Sequence, residues 1–374
     1  MEKKKIMLVF GTRPEAIKMC PLINELKKRD SLKTMVCVTG QHKQMLQQVL
    51  KTFDVVPDYD LSIMKDGQTL FDITIGILEK LKNVLEESNP DVVIVHGDTT
   101  TTFVTALACF YLRIPVAHVE AGLRTNNIYS PYPEEFNRQV VGIISQYNFA
   151  PTKMAAENLI KEGKNPSTIY VTGNTVIDAM KHTVKNDYTH PELEWVGDSK
   201  LIFITAHRRE NLGKPMHNMF RAIRRVLEEH PDCKAIYPIH MNPIVRQAAD
   251  EELGNCNQIH IIEPIEVFDC HNFEARCYLC LTDSGGIQEE VPSFGKPVLV
   301  MRDTTERPEG IAAGTLKLVG TEEESIYRNF KELLENQKAY EAMAKACNPY
   351  GDGKACERIA NILEEKTYQP WESV

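Results

Sequence analysis

Residues 6–15 read IMLVFGTRPE, and this stretch decides the fold class. Ile6–Phe10 is an unbroken apolar run, which is typical of a strand buried on both faces. Gly11 supplies a turn after it, and Pro14 stands near the start of the helical pattern that follows. A buried strand, a glycine turn and a helix in this order indicate an α/β domain with a parallel sheet.

The same alternation of buried strand and amphipathic helix continues along the chain. The pattern predicts strands at Ile6–Phe10, Thr34–Thr39, Val92–His96, Val116–Val119, Ile169–Val171, Leu201–Thr205, Ala235–Ile239, Ile259–Ile262, Tyr278–Thr282 and Val298–Met301. It predicts helices at Pro14–Arg29, Thr69–Glu87, Thr100–Tyr111, Met216–Glu229, Glu323–Leu334 and Cys356–Lys366. We therefore expect doubly wound parallel sheets with helices on both faces.

The length favours two domains, because 374 residues exceed the size at which one core usually stops growing. The sequence offers two candidate junctions, near Thr172–Gly173 and in the polar stretch His182–Lys200. We predict one Rossmann-like domain from residues 1–172 with 355–374 and a second from residues 173–354.

Charge and hydropathy exclude some classes of function. The net charge of −9 does not favour a nucleic-acid-binding protein. No apolar stretch approaches the length of a membrane span, and the run after Lys3–Lys5 is too short for a signal peptide. We expect a cytoplasmic protein whose ten cysteines are mostly reduced and buried.

Metal binding by Cys277 and Cys280, near Cys270 and His271, is the alternative use of those cysteines. The stretch reads as a strand, and residues three apart on a strand face opposite sides. No second CxxC is present in the sequence. We therefore predict no metal site there.

Three loops that follow predicted strands, or lie just beyond them, carry carboxylates: Asp98, Glu120 and Glu134 with Glu135. The carboxyl ends of neighbouring parallel strands meet at one edge of a sheet, where ligands bind. Each residue has a plainer interpretation, since Asp98 suits a helix N-cap and Glu134 suits the first turn of a helix. Together they make an acid/base cluster plausible.

Basic residues and glycines follow other strands. Arg13 and the backbone after Gly11 suit an anion at a helix start, and His207–Arg209 place positive charge at another strand end. In Ser284-Gly285-Gly286, two glycines before a predicted helix would let a diphosphate approach the backbone, and Glu290 could accept hydrogen bonds from ribose. A plain turn or a glycine-containing N-cap would also explain these patterns.

Several motifs are absent from the sequence. It contains no P-loop and no G-x-G-x-x-G after a strand, so neither that type of phosphate loop nor NAD binding is supported. H-E-x-x-H and G-x-S-x-G are missing as well.

Nine blocks of sequence, in order and over nearly the whole chain, resemble the non-hydrolysing UDP-N-acetylglucosamine 2-epimerases. They are GTRPEAIKM (Gly11–Met19), HGDTTTT (His96–Thr102), HVEAGLRT (His118–Thr125), SPYPEEFNR (Ser130–Arg138), GNTVIDA (Gly173–Ala179), HRRE (His207–Glu210), LTDSGGIQEE (Leu281–Glu290), RDTTERPE (Arg302–Glu309) and NPYGDG (Asn348–Gly353). The resemblance implies a GT-B-like fold with a C-terminal helix that returns to the first domain. It also implies homodimers that interconvert UDP-GlcNAc and UDP-ManNAc without NAD or metal, for cell-surface polysaccharide synthesis.

The resemblance also assigns residues. Asp98, Glu120, Glu134 and His207 match catalytic positions. The substrate contacts would be Arg13, Lys18, Arg138, Cys270, Ser284, Gly285, Gly286, Glu290 and Arg307. A second UDP-GlcNAc, bound as an activator, would contact Gln41, Gln44, Arg208 and His240, and would share Glu134.

The sequence departs from the family pattern at two positions. Gly67 stands where some regulated members have arginine, so tight regulation is not implied. Cys270 stands where relatives often have a phenylalanine that packs near the uracil, and cysteine offers less stacking area.

Three rival functions share much of this pattern: a UDP-sugar glycosyltransferase of the same fold, a hydrolysing epimerase, and a non-catalytic UDP-sugar sensor. The transferase would need an acceptor groove, and the hydrolysing enzyme often carries an added kinase domain. The three carboxylates argue against the sensor.

Overall fold

The chain folds into two compact units. The computed structural model describes residues 2–40, 43–65, 67–305 and 307–372, and for residues 43–45 it describes the backbone alone. Residues 2–182 together with 350–372 form unit 1, and residues 183–349 form unit 2. Among the described residues, no helix is both long and apolar enough to cross a membrane.

Unit 1 is a parallel sheet between two layers of helices. Its strands are β1 (Lys4–Phe10), β2 (Leu32–Val38), β3 (Tyr59–Asp60), β4 (Val92–His96), β5 (Val116–Val119), β6 (Tyr147–Ala150) and β7 (Ile169–Val171). Its helices are α1 (Arg13–Lys27), α2 (Lys43–Thr52), α3 (Leu70–Ser88), α4 (Thr100–Tyr111), α5 (Glu134–Ile144), α6 (Lys153–Lys161), α7 (Thr175–Thr183, whose last residue already belongs to unit 2) and α16 (Ala355–Leu363), with a 3₁₀ turn at Pro166–Thr168.

The strand order in unit 1 is β3-β2-β1-β4-β5-β6-β7, and every pairing is parallel. The order reverses direction between β1 and β4, so the loops that leave these two strands diverge to opposite sides of the sheet. Such a switch point is where doubly wound sheets bind ligands.

Unit 2 repeats this architecture with six parallel strands. They are β8 (Lys200–Thr205), β9 (Cys233–Pro238), β10 (Ile259–Ile262), β11 (Leu279–Thr282), β12 (Val298–Val300) and β13 (Leu316–Leu318), in the order β10-β9-β8-β11-β12-β13. The helices are α8 (Pro191–Val196), α9 (Lys214–Glu229), α10 (Pro243–Leu253), α11 (Val267–Arg276), α12 (Ile287–Glu290), α13 (Pro308–Ala312), α14 (Glu323–Glu335) and α15 (Gln337–Ala344), with 3₁₀ turns at Arg209–Asn211 and Val291–Phe294. Its switch point lies between β8 and β11.

The core of each unit is the sheet and the helix faces that cover it. Ile6–Phe10 is fully buried, as its unbroken apolar sequence predicts. In α9, Met216, Met219, Phe220 and Ile223 are all buried, and their spacing places them on one face of the helix. The prediction of two doubly wound parallel sheets is confirmed.

The chain returns to unit 1 through α16, as expected for the last helix. Arg29, just after α1, donates to Asn361 at 3.1 Å, and Lys4 donates to the carbonyl of Leu363 at 3.0 Å. The buried carboxylate of Asp178 in α7 accepts from the backbone N–H groups of Ala355 and Cys356, both at 3.1 Å. Asp178 therefore caps α16, and this contact joins the two separated segments of unit 1.

The unit boundaries differ from the predicted residues 172/173 and 354/355. The chain leaves unit 1 after His182, at the start of the polar stretch that the sequence offered as the second junction, and re-enters it at Tyr350. The physical reason lies in α7. Besides the Asp178 cap, the backbone N–H of Asn174 donates to the Tyr350 carbonyl at 2.7 Å. These contacts fix α7 and residues 350–354 to unit 1.

Three strands are absent from the sequence prediction: β3, β6 and β13. The buried Asn148 interrupts the apolar sequence pattern of β6, and asparagine is uncommon in strands. Its side chain donates to the Thr168 carbonyl at 3.1 Å, so the polar group is satisfied inside the fold.

Candidate active site

The two loops at the switch point of unit 1 are tied together by Glu15. This buried carboxylate accepts from the backbone N–H groups of Gly11 at 3.0 Å and Thr12 at 2.7 Å. Its other oxygen accepts from the hydroxyl of Thr99 at 2.7 Å and from that of Thr102 at 3.2 Å. One side chain therefore holds the loop after β1 against the start of α4, which follows β4.

Glu120 lies at the end of β5 in a polar pocket of unit 1. Its backbone has φ +65°, in the left-handed region that non-glycine residues rarely adopt. Lys18 donates to Glu120 Oε2, and the side-chain amide of Asn174 donates to the same oxygen at 2.9 Å. His96 Nε2 lies 3.6 Å from that oxygen. These neighbours keep a buried carboxylate in one orientation.

The charge on Glu120 follows from these contacts. Burial alone would raise the pKa of Glu120, but the neighbouring Lys18 and His96 outweigh it and hold the pKa well below 4.5. Glu120 is therefore ionised at neutral pH.

Asp98 lies in the loop after β4, and the preceding residue, Gly97, is close to the Glu120 carboxylate. Glu120 Oε1 is 3.8 Å from the position that a Cβ on Gly97, next to Asp98, would occupy. Arg138 of α5 contacts Asp98 Oδ2 at 2.6 Å and Glu135 Oε2 at 3.2 Å. Glu135 in turn accepts from the backbone N–H groups of residues 125 and 126, both at 3.0 Å. Glu135, which the sequence placed only beside Glu134, therefore positions Arg138.

His118 is buried next to the turn that carries Asp98. Its Nε2 is 2.7 Å from the carbonyl of Gly97. Burial lowers the pKa of His118 to about 3, so the ring is neutral at physiological pH. A neutral ring with its Nε2 proton directed at the carbonyl fixes the glycine turn that carries Asp98.

The remaining predicted residues of unit 1 lie at helix starts. Arg13 is the first residue of α1 and is half-buried, and Glu134 is the first residue of α5. Glu134 Oε2 is buried and has no hydrogen-bond partner among the described residues. Contacts thus pair Lys18 with Glu120 and Arg138 with Asp98, and Glu134 offers an acceptor atom that the described protein does not use.

At the switch point of unit 2, Asp283 organises the loop that carries His207. The fully buried carboxylate accepts from the backbone N–H groups of His207 at 2.9 Å and Arg208 at 2.9 Å, and from the Asn211 amide at 3.1 Å. The sequence analysis quoted Asp283 within a motif and assigned no role to it. It acts as the anchor between β8 and β11.

His207 itself is not a strong source of positive charge. Burial lowers the pKa of His207, and the carboxylate of Asp283 opposes this only in part. The neighbouring His240, whose ring stacks on His207 with centroids 5.5 Å apart, and Arg208 lower the pKa further. Contrary to the expectation of a His-Arg-Arg positive patch, the permanent charge here belongs to the arginines.

The loop after β11 also differs from expectation. Ser284-Gly285-Gly286 precedes α12, which is only Ile287–Glu290 before the chain tightens into a 3₁₀ turn. The expected helix dipole is therefore weak, because so few peptide units are aligned. The loop is fixed by Gln288, which donates to the Ser284 carbonyl at 3.0 Å and accepts from the Thr305 hydroxyl at 2.6 Å. Arg307 pairs with Glu289 at 2.8 Å.

The family model described as UDP-N-acetylglucosamine 2-epimerase matches residues 24–364. The chain belongs to this family. It is 58% identical over 363 residues to the UDP-N-acetylglucosamine 2-epimerase of Bacillus subtilis (strain 168), covering 97% of this chain and 96% of the relative. It is 50% identical over 369 residues to the enzyme of that name from Escherichia coli (strain K12), covering 96% and 98%.

A solved structure supports the same assignment. The UDP-GlcNAc 2-epimerase of Neisseria meningitidis, bound to UDP-GlcNAc, superposes on this epimerase family member with a TM-score of 0.88 at 47% identity. The alignment covers 97% of this chain and 100% of that one. The chain is therefore an isomerase of the epimerase family, and these similarities do not support the transferase or sensor alternatives.

The residues predicted for an activator site are only partly described in this epimerase. Gln41 lies outside the described residues, and the side chain of Gln44 does as well. Arg208 Nε donates to the Asp283 carbonyl at 3.2 Å, and His240 Nδ1 accepts from the backbone N–H of Asn242 at 3.1 Å. The activator site stays a prediction.

The region around Cys270 holds a cluster that sequence analysis did not find. Cys277 ends α11 as its C-cap and Cys280 lies within β11, so the stretch is not one continuous strand as expected, and both thiols are buried. The donor atoms that lie together are those of His271, Glu274 and Glu290, all within 4.8 Å of one another. These three are the described residues that could hold a metal ion. The spacing of three residues between His271 and Glu274 on a helix was the sequence signal that could have indicated this cluster.

Proposed function

We propose that this chain is a non-hydrolysing epimerase that interconverts UDP-N-acetylglucosamine and UDP-N-acetylmannosamine by inverting carbon 2 of the sugar. Family membership over nearly the whole chain supports the reaction class. The observation that carries the chemistry is the ionised Glu120 after β5, close to the glycine turn that carries Asp98. We further propose that unit 1 supplies the catalytic carboxylates and unit 2 binds UDP.

The reaction requires elimination and re-addition of UDP. Carbon 2 is not next to a carbonyl, so its proton is not acidic enough for direct removal. Loss of UDP together with that proton gives a glycal, in which carbon 2 is planar. Return of UDP to carbon 1 on its original face, with a proton added to the opposite face of carbon 2, gives the epimer. The protein must therefore transfer protons at carbon 2 and stabilise the departing diphosphate.

We assign proton transfer to Asp98, Glu120 and Glu134. Glu120 is ionised and can accept a proton. The charge of the neighbouring Lys18 allows the local charge to redistribute when Glu120 takes up that proton. Asp98 is held by Arg138 at 2.6 Å, and Glu134 presents an acceptor oxygen that no described residue uses. Because the two faces of a planar carbon need separate proton donors, more than one carboxylate is required.

We assign diphosphate stabilisation to Arg13, His207 and the backbone of Ser284–Gly286. The lowered pKa of His207 means that its resting ring is biased toward the neutral form. A neighbouring diphosphate would raise that pKa again and favour the charged imidazolium as negative charge develops. Electrostatic stabilisation would then increase along the reaction, which is what catalysis requires.

The other ligand contacts are carried over as proposals. Lys18, Arg138, Cys270, Glu290 and Arg307 would be substrate contacts. We propose that the reaction needs no added cofactor, because deprotonation and diphosphate departure use acid/base and hydrogen-bonding groups alone. A second UDP-GlcNAc would act as activator through Gln41, Gln44, Arg208 and His240.

We propose a cytoplasmic homodimer. All ten cysteines are free, which suits a reducing compartment. Unit 1 exposes apolar side chains on three helices in contact, namely Phe71 and Ile75 on α3, Phe110 on α4 and Ile143 on α5. Ile143 is 79% exposed and Phe71 is 80% exposed. Exposed apolar side chains on neighbouring helices favour a protein interface here, and we propose that a second copy of the chain covers them.

The test is a proton NMR time course of the purified protein with UDP-GlcNAc in heavy water, without NAD, metal or acceptor. Growth of a UDP-ManNAc anomeric signal, with deuterium at carbon 2, is the expected result. An unchanged spectrum would contradict the proposal, and free ManNAc with UDP as main products would replace it with a hydrolysing reaction.

A further inference from the structure

Unit 2 contains a buried cluster of mixed donor atoms on one side of α11. His271 and Glu274 lie about one helical turn apart, and Glu290 at the end of α12 faces them. His271 Nε2 is 3.8 Å from Glu290 Oε2, and one donor atom from each of the three residues lies within 4.8 Å of the others. His271 and Glu274 have no role in the proposed reaction.

A contact at Nδ1, on the side of the ring away from the carboxylates, fixes the orientation of His271. Its Nδ1 lies 2.7 Å from the hydroxyl of Thr183, and the ring is buried. A histidine that binds a metal through one nitrogen usually makes a hydrogen bond through the other, which sets both the tautomer and the ring angle. Thr183 provides this second contact and leaves Nε2 facing the two carboxylates.

Glu274 is a buried carboxyl group with an unused acceptor. The side chain is 0% exposed, and its Oε2 has no hydrogen-bond partner among the described residues. Its Oε1 accepts from the Cys270 thiol at 3.1 Å. Burial and the nearby Glu290 carboxylate both raise the pKa of Glu274 well above its ordinary value. The buried Glu274 and the mostly buried Glu290 can both be ionised at this spacing only with a positive charge between them.

We propose that His271, Glu274 and Glu290 form a binding site for a divalent transition-metal ion, with Zn²⁺ as the preferred ion. One imidazole and two carboxylates are ligands that Zn²⁺ takes in proteins. Bond lengths of about 2.0–2.1 Å in a tetrahedral site place ligand atoms about 3.3 Å apart. The observed 3.8 Å between His271 and Glu290 needs only a small side-chain rotation to reach this value.

The imidazole of His271 favours a borderline ion over Mg²⁺ or Ca²⁺. The Cys270 thiol donates to Glu274 and so holds that carboxylate in place. Magnesium requires near-octahedral oxygen ligands and retains its waters, which a site with a histidine in a buried helix face does not provide.

A bound ion would regulate the nucleotide site, and this step rests on the proposed function. Glu290 is the residue that we assign to the ribose of UDP. When its carboxylate binds Zn²⁺, it no longer accepts hydrogen bonds from ribose. Zinc should therefore compete with UDP-GlcNAc, raising KM and leaving kcat unchanged.

The test uses the full chain, stripped of metal with a chelator and titrated with zinc chloride against a chromophoric zinc indicator. One equivalent should bind, and Glu274→Gln or His271→Gln should weaken the association at least tenfold. Cys347→Ser is the matched control, because Cys347 is an exposed cysteine of the same unit and should not change binding. Far-UV circular dichroism of each variant identifies loss of fold, and the isosteric Glu274→Gln is the variant that preserves packing.

The titration is independent of turnover. Saturable binding by an enzyme without epimerase activity would retain the site and refute the proposed function. Absence of a saturable one-to-one complex, or equal zinc affinity in the wild type and folded Glu274→Gln, would overturn the site and leave the two carboxyl groups sharing a proton. An unchanged KM at saturating zinc would overturn the link to Glu290.

Discussion

Replacing Lys18 with methionine removes the charge that faces Glu120 inside unit 1. The two side chains are only 13% and 9% exposed, so water cannot replace the lost partner. Removal of one member of a buried ion pair costs about 3–5 kcal/mol. Asn174 still donates to the carboxylate and His96 remains nearby, so we expect a loss near the lower end, about 3 kcal/mol.

The loss should depend on pH in a definite direction. The folded pKa of Glu120 lies below its ordinary value of 4.5, so the pair stabilises the fold above pH 4.5. That stabilisation disappears as the pH falls through the lower folded pKa. Without Lys18, burial favours the protonated carboxyl group. The difference between wild type and Lys18→Met should therefore be largest near neutral pH and should shrink below pH 4.5.

Urea denaturation followed by circular dichroism, at about pH 7 and about pH 4, measures this difference. Urea is preferred to guanidinium because a salt would screen the charges. Lys28→Met is the matched control, since Lys28 lies at the end of the same helix, is 66% exposed and pairs with Glu25 at 3.2 Å. An exposed pair is worth about 0.2–1 kcal/mol. Equal losses in the two variants, or a loss that does not change with pH, would refute the reasoning.

Three further outcomes follow from the same structure. Asp98→Asn should lower turnover about 10²–10⁴-fold, because it removes a proton carrier, and should leave the calorimetric Kd for UDP within about threefold. Normal turnover of this variant in the NMR assay would exclude a role of Asp98 in proton transfer. Asp283→Ala should destabilise unit 2 by about 3 kcal/mol or more in urea denaturation, because two backbone N–H groups and the Asn211 amide lose a charged acceptor. A change under about 1 kcal/mol would show that contacts other than those of Asp283 hold this loop. Ile143→Glu should convert dimers to monomers in sedimentation, whereas Ile160→Glu on α6 should not, and a dimeric Ile143→Glu would place the interface elsewhere.

Local sequence predicts the parts of the fold that depend on local pattern. The bounds predicted for β4, β5, β7 and β10 agree with the structure, and α4 agrees at both ends. In these segments an apolar run or an amphipathic period begins and ends within a few residues. Strand β3 has only two residues, and β6 carries a buried asparagine, so neither has a local pattern that distinguishes it from a loop.

Some residues of the candidate site can likewise be predicted from local sequence, and others cannot. Asp98, Glu120 and His207 follow predicted strands, and a strand end is visible in sequence. Glu15 could not be recognised, because its partner Thr99 is 84 residues away and a glutamate at that position also suits a helix start. The pKa directions of Glu120 and His207 depend on burial and on neighbours from other strands, which no single stretch of sequence reports.

The interruption of unit 1 by unit 2 has a consequence for synthesis on the ribosome. Residues 2–182 emerge first, but the Asp178 carboxylate meets the N–H groups that it caps only when residues 355 and 356 have been made. At about 5–20 residues per second, the intervening segment takes on the order of ten to thirty seconds to translate. During that interval the face of α1 that α16 later covers stays exposed.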